Sequence, residues 1–199
     1  MKLLFATNNP AKVKKFAEGL KQKGIELISL KDIDIKIPIE ENGKNAIENA
    51  HIKAKAYYDV TKIPTIGMDN NLFIENLSQE KQPGTHVKRI NGKELNDEEI
   101  IEYYTNMVKE KGEKLIAKWV YGLVIYNETG SKEYTWSKGP YYFIDKPSKQ
   151  RNPGYPLDSI SIVPEYNKYL VELTKEEKDN LPDNIDEIIE FIVNNVEVK

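Results

Sequence analysis

The stretch Lys2-Leu3-Leu4-Phe5-Ala6-Thr7-Asn8-Asn9-Pro10-Ala11-Lys12 decides how this chain begins to fold. Leu3 to Ala6 is an apolar run of strand length that ends at three polar residues. Pro10 suits a first helical turn, where its fixed φ is helical and its missing N–H would have no partner. Val13, Phe16, Ala17 and Leu20 then recur at helical spacing, and Gly24 stops the helix before a second apolar run, Ile25 to Leu30. Strand, turn, helix, strand is the opening of an α/β sheet.

Working outward, Lys44 to about Val60 reads as a second helix. Ala46, Ala50 and Ala54 form a small-residue stripe at i, i+4, i+8, suited to close packing. Asn45, Asn49 and Lys53 run beside it, so polar groups border the buried face. Pro64 precedes a strand ending near Asp69, and Leu72 to Ile74 continues extended. Asn96-Asp97-Glu98-Glu99 is an acidic helix start before Ile100, Ile101, Tyr104 and Met107. Leu115 to Tyr126 is rich in β-formers, with Asn127-Glu128-Thr129-Gly130 as a hairpin turn. Tyr134 to Trp136 and Tyr141 to Ile144 read as separate antiparallel strands, and Ile160 to Val163 as one more. Thr174 with Glu177 makes a capping box, and Ile185 to Asn195 reads as a helix with Ile188, Ile189 and Ile192 inward. Helix and strand alternate first and strands cluster later, so the sheet is expected to be mixed rather than purely parallel.

Composition narrows the function classes. The 199 residues are long enough for one sizeable core, and 39% hydrophobic with 31% charged describes a soluble globular chain. A formal charge of -3 does not suggest non-specific nucleic-acid binding, which favours basic domains. Zero cysteines exclude disulfide and thiolate chemistry and fit a reducing, cytoplasmic setting. Two histidines, His51 and His86, argue against a histidine-rich zinc site. Polar Thr7-Asn8-Asn9 arrives too early for a signal-peptide core, and no apolar run has the length to span a bilayer.

Three segments carry candidate chemistry. Thr7 to Lys12 joins a strand to a helix N-terminus, where backbone N–H groups and the helix dipole favour an anion and Thr7, Asn9 and Lys12 add donors. The glycines of a Walker loop are absent, and an ordinary capped helix start fits the same residues. Glu41-Asn42-Gly43 leads into Glu48, Asn49 and Lys53. Met68-Asp69-Asn70 ends a strand among apolar neighbours, where a carboxylate needs a cation or donors to offset burial. Glu48 and Asp69 are oxygen ligands suited to Mg²⁺, and Asp69 also suits orienting or deprotonating a water. Lys12, Lys53 and Lys178 suit neutralising phosphate charge, although each alone also reads as a solvated surface lysine. Tyr155 and Trp136 suit stacking on a base or core packing, and Asp158 suits a base edge or a turn. His86 and Arg89, after Pro83-Gly84, read as loop surface.

Taken in order, these motifs resemble the inosine triphosphate pyrophosphatase family, whose members hydrolyse ITP or XTP to the monophosphate and pyrophosphate. The family's Thr-x-Asn-x-x-Lys matches Thr7, Asn9 and Lys12. Its Glu-Asn-Ala followed by lysine matches Glu48, Asn49, Ala50 and Lys53, and its catalytic aspartate matches Asp69 before Asn70-Asn71-Leu72. Its Pro-Gly before a basic residue matches Pro83-Gly84 with Lys88 or Arg89. Its Glu-Leu-x-x-Glu-Glu-Lys matches Glu172-Leu173-Thr174-Lys175-Glu176-Glu177-Lys178.

The resemblance implies a single domain over residues 1–199: a mixed, twisted α/β sheet flanked by helices, in two lobes around a central cleft. It implies a Mg²⁺-dependent nucleoside triphosphate pyrophosphatase that is cytoplasmic and homodimeric and binds neither nucleic acid nor membrane. Asp69 would be catalytic and would hold metal with Glu48. Thr7, Asn9, Lys12, Lys53, Asn70, Tyr155, Asp158 and Lys178 would bind the nucleotide. The departures fall mainly on the base side. Met68 replaces an acid, Asn70-Asn71 replaces Ser-Gly, Tyr155-Pro156-Leu157-Asp158 replaces Phe-Gly-Tyr-Asp, and Pro182-Asp183-Asn184 replaces Ser-His-Arg. The competing expectation is a relative that binds nucleotide without turning it over.

Overall fold

The computed structural model describes residues 1–33, 35–90 and 92–196. In chain order the elements are β1 (Lys2–Phe5), α1 (Pro10–Gln22), β2 (Glu26–Ser29), α2 (Leu30–Ile33), α3 (Ala46–Thr61), β3 (Thr65–Ile74), β4 (Arg89–Ile90), β5 (Lys93–Glu94), α4 (Asp97–Lys111), β6 (Leu115–Asn127), β7 (Gly130–Phe143), β8 (Ser161–Val163), β9 (Lys168–Tyr169), α5 (Lys175–Asp179) and α6 (Ile185–Val196). The main sheet has the order β2-β1-β3-β6-β7-β8-β9. β1 pairs in parallel with β2 and β3, whereas β8 pairs antiparallel with β7 and β9, so the sheet is mixed as expected.

The chain forms two compact units, Met1–Asn70 with Val120–Trp136 and Asn184–Lys199, and Asn71–Trp119 with Ser137–Asp183. In the first unit the strands alternate their side chains between two helical layers. Leu3, Phe5, Ile66, Met68, Leu123 and Ile125 face Phe16 and Leu20 of α1 and Ile188, Ile189 and Ile192 of α6. Val124 faces the other way, against Ala50 and Ala54 of α3. The alanine stripe is buried as its spacing requires: Ala46, Ala50 and Ala54 are 2%, 0% and 0% exposed. Two glycines let α3 approach so closely. A Cβ on Gly67 of β3 would fall 1.9 Å from the Ala50 carbonyl oxygen, and one on Gly122 of β6 would fall 2.7 Å from the Ile47 nitrogen.

The second unit has its own core. Ile100, Ile101, Tyr104 and Val108 of α4 pack on Leu72, Ile74, Leu115, Ala117, Tyr141 and Phe143, with Leu157, Ile160 and Leu173 completing the cluster. Both capping boxes form: Asn96 with Glu99 opens α4, and Thr174 with Glu177 opens α5. One sequence expectation is corrected here. Tyr134–Trp136 and Tyr141–Ile144 are not separate strands, because β7 runs unbroken from Gly130 to Phe143. Ser137-Lys138-Gly139-Pro140 carries turn residues, yet β7 runs through them with Gly139 at φ +119. The short β4, β5, β9 and α2 carry too little periodic pattern to be read in advance.

Candidate active site

In the first unit, the turn after β1 is built by its own side chains. The Asn9 N–H donates to Thr7 Oγ1 at 3.1 Å, and Asn9 Oδ1 caps α1 by accepting from the Ala11 N–H at 2.9 Å. The amide nitrogen of Asn9 is not used by that cap. Lys12 follows on the first turn of α1, and burial holds its ammonium pKa below the usual lysine range. Lys53 pushes the same way, while Asp69 and Glu41 oppose it, so these four charges share one field.

Helix α3 and strand β3 supply the rest. The polar stripe Asn45, Asn49, Lys53 rises along α3 at one turn per step, and each residue has a distinct role. Asn45 caps the helix by accepting from the Glu48 N–H at 3.0 Å. Asn49 is buried, with Nδ2 donating to Asp69 Oδ2 at 2.9 Å and Oδ1 accepting from the Gly43 N–H at 2.8 Å. Lys53 Nζ lies 2.9 Å from Glu41 Oε2 and 3.4 Å from Asp69 Oδ1, with the lysine side chain 12% exposed. One ammonium therefore sits against two carboxylates.

Glu48 is placed differently from Asp69. It is exposed, and its carboxylate closes the start of α3, Oε2 accepting from the Lys44 N–H at 2.8 Å and Oε1 from Asn45 Nδ2 at 3.2 Å. The acid brought to Lys53 alongside Asp69 is Glu41, which sequence reading quotes but gives no role. Glu41 follows the irregular segment 35–40, where Ile35, Ile37 and Ile39 pack against Leu4, Ile28, Leu30 and Tyr57. That Ile-x-Ile-x-Ile alternation is the available signal that the segment is pinned and that Glu41 is held in place. Asn70 is half-buried next to Asp69. Met68 points into the core with Ile66, on the opposite strand face from Asp69.

In the second unit, Tyr155, Asp158 and Lys178 take separate environments. Tyr155 is 45% exposed, with its ring open. Burial pushes the Asp158 carboxyl up, partly countered by Asn152 Nδ2 donating to Oδ2 at 2.8 Å and by the charge of Lys178. Lys178 itself is exposed on α5. The loop bearing Asn152 and Tyr155 is clamped to the start of α4: Arg151 donates to both carboxylate oxygens of Glu98 at 2.7 and 3.2 Å, and the Gly154 N–H donates to Asp97 at 2.8 Å. Asn152 and this clamp are further residues the sequence reading missed, since Asp97 and Glu98 read only as dipole-matched helix acids. Trp136 resolves to core packing in the first unit, stacked on Tyr121 with centroids 5.0 Å apart. His86 and Arg89 are exposed, as expected. Asn184, in the tripeptide that replaces Ser-His-Arg, starts α6: its carbonyl accepts from the Ile188 N–H and its amide donates to Glu187.

The profile of the Ham1 family matches residues 3–183. The chain belongs to the Ham1 family. Among its relatives, a protein of Aquifex aeolicus named dITP/XTP pyrophosphatase is 30% identical over 191 residues, covering 91% of this chain and 90% of its own. Proteins of the same name from Thermus thermophilus and Bacillus subtilis are 32% and 31% identical, covering 89% and 92% of this chain and 84% and 91% of theirs. These relatives bear out the resemblance to the inosine triphosphate pyrophosphatase family. The structure of the Staphylococcus aureus Ham1 protein superposes with a TM-score of 0.81 over 98% of this chain and 99% of that one, at 23% identity, and so bears out the fold.

Proposed function

We propose that this Ham1 family member hydrolyses nucleoside triphosphates to the monophosphate and pyrophosphate, clearing deaminated or modified nucleotides, and that its two units make up one inosine triphosphatase-like domain. The observation that carries the reading is the cluster of Lys12, Glu41, Lys53 and Asp69: two cations and two carboxylates held by the start of α1, the middle of α3, a pinned loop and a strand. A phosphate chain entering it finds Lys12 desolvated and Lys53 paired only to side chains it can exchange. Thr7, Asn9 and the first N–H groups of α1 add donors for the same anion.

The donor set fits Mg²⁺. Among the described residues no three acids or histidines gather into a cage. Mg²⁺ commonly takes one or two carboxylates and completes its shell with water and substrate phosphate. The Lys53 ammonium marks a cation position lined by Glu41 and Asp69. In this reading the second ligand expected at Glu48 passes to Glu41, and Glu48 shapes the helix end. Bound there, the ion would draw charge from the phosphate oxygens and favour deprotonation of water. Asp69 orients the attacking water toward the α-phosphorus and takes its proton. Lys12 and Lys53 neutralise charge on the departing pyrophosphate.

We assign the base to Tyr155 and Asp158 of the second unit, with Lys178 of that unit and Asn70 of the first as further nucleotide contacts. The reading includes a homodimer and a cytoplasmic setting; among the described residues no helix is long and apolar enough to cross a membrane. The competing reading of binding without turnover draws on Pro182-Asp183-Asn184, which offers no cation and places Asn184 in the α6 start. Pyrophosphate release from ITP, XTP, dUTP, GTP and ATP under identical Mg²⁺ tests both. Release from at least one is expected. Tight nucleotide binding with no release from any would establish the competing reading.

A further inference from the structure

We infer that Asn49 is a positioning residue: its buried amide ties the Asp69 carboxylate to the loop that carries Glu41, so that both acids face one cation position. The inference rests on the proposed function for its catalytic part only. Asn49 is 1% exposed and reaches two elements at once. Its Nδ2 donates to Asp69 Oδ2 at 2.9 Å, and its Oδ1 accepts from the Gly43 N–H at 2.8 Å. Chemistry fixes which way the amide points, because an ionised carboxylate only accepts and a backbone N–H only donates. With Oδ2 held, Asp69 is left presenting Oδ1, the atom 3.4 Å from Lys53.

Few side chains meet both demands at this length. Aspartate would set an acceptor against the Asp69 oxygen, and leucine would leave the Gly43 N–H and one Asp69 oxygen without their partner. The loop side is equally constrained. A Cβ on Gly43 would fall 2.6 Å from Asn49 Oδ1 and 2.8 Å from the Asn49 nitrogen. Gly43 therefore allows the loop to close on Asn49, and Glu41 stands two residues before that contact. Asn49 is one helical turn from Lys53, so one register sets the Asp69 carboxylate, the Glu41 loop and the ammonium between them.

The test is a double-mutant cycle read in two ways, Mn²⁺ binding to the nucleotide-free protein by calorimetry and steady-state pyrophosphate release. Asn49→Ala should lower Mn²⁺ affinity about 10–100-fold, the range for residues that orient metal ligands. It should lower kcat by a similar factor while KM moves less than about threefold. Asn49→Ala combined with Asp69→Ala should be no weaker in Mn²⁺ binding than Asp69→Ala alone. Gly43→Ala leaves both acids and the amide intact, and should also weaken Mn²⁺ by pushing the loop off Asn49; it decides the matter where Asn49→Ala does not fold. Folded Asn49→Ala with wild-type Mn²⁺ affinity, additive losses in the double mutant, or a wild-type protein that binds no Mn²⁺ would each overturn the inference. Wild-type Mn²⁺ binding without pyrophosphate release from any nucleotide would sink the proposed function and leave the positioning role standing on the metal arm.

Discussion

The two units treat their charged residues in opposite ways. In the first, Lys12, Glu41, Lys53 and Asp69 compensate one another, and buried Asn49 knits them together. In the second, Asp158 is buried deeply enough for its carboxyl to be pushed up, with a neutral amide as its hydrogen-bond partner, while Tyr155 and Lys178 are exposed. Under the proposed function, the first arrangement would take a highly charged ligand whose phosphates exchange places with existing ion pairs, and the second would take a neutral group read by hydrogen bonds. The sequence shows a related contrast. Thr7, Asn9, Lys12, Glu48, Asn49, Lys53 and Asp69 match the family, although Met68 and Asn70-Asn71 flank Asp69 as departures. Tyr155-Pro156-Leu157-Asp158 keeps only one aromatic and the acid of its motif.

Replacing the same residue type in both units tests the contrast most sharply. Asp69→Asn should lower kcat about 10²–10⁴-fold at saturating Mg²⁺, the usual contribution of a general base. Wild-type turnover in that variant would remove Asp69 from the chemistry. Lys53→Ala comes next. A contact to a charged group contributes about 1.5–3 kcal/mol, so triphosphate affinity should fall about ten- to a hundredfold with nucleoside affinity unchanged. Equal losses for both ligands by calorimetry would take Lys53 off the phosphates.

Glu41→Gln against Glu48→Gln sharpens the first unit alone. Glu41→Gln should raise the Mg²⁺ needed for half-maximal rate about tenfold or more. Glu48→Gln should change it less than about threefold, since a glutamine side-chain oxygen can still accept from the Lys44 N–H that Glu48 holds. The reverse order would return Glu48 to the ligand set. Asp158→Asn should give the smallest effect, and on stability. Burial raises the carboxyl pKa in the folded protein, so ionised Asp158 costs stability above that pKa, and the cost disappears as pH falls through it. The Tm of the variant should therefore exceed wild type near pH 7 by about 2–4 °C or less, with the gap closing toward about pH 4. A gap that widens on acidification would show that Asp158 is stabilised by its charge.

What sequence alone discloses depends on how far apart the partners lie. The alanine stripe, the polar stripe beside it and the Thr174–Glu177 capping box are set by helical register and stand where their spacing puts them. The acidic start at Asn96, by contrast, closes as a second box that its charge alone does not disclose. The β1–α1 turn is legible for the same reason. The alternation of Ile35, Ile37 and Ile39 signals a pinned segment, but which side chains Glu41 then faces is a tertiary fact that the alternation does not carry. The Arg151–Glu98 and Gly154–Asp97 links of the clamp join residues 53 and 57 apart, beyond any periodic pattern. Trp136 reads equally well as a stacking platform or a core residue in the sequence, and only the fold, by laying Tyr121 parallel to it, makes it a core residue.

The glycines under α3 give the spacing between Asn49, Lys53 and Asp69 a hard stop. Gly67 and Gly122 bring bare backbone against the helix, so its height above the sheet is gauged by atoms that have no rotamers to adjust. Apolar side chains elsewhere can drift in size while Asn49 and Lys53 keep their reach to Asp69. A methyl group at either glycine would act as a shim. Lifting those side chains by about 1 Å is enough to cost about a hundredfold in rate. Tolerance to mutation in this unit should thus be lowest at Gly67 and Gly122, where even one methyl group meets backbone that cannot yield.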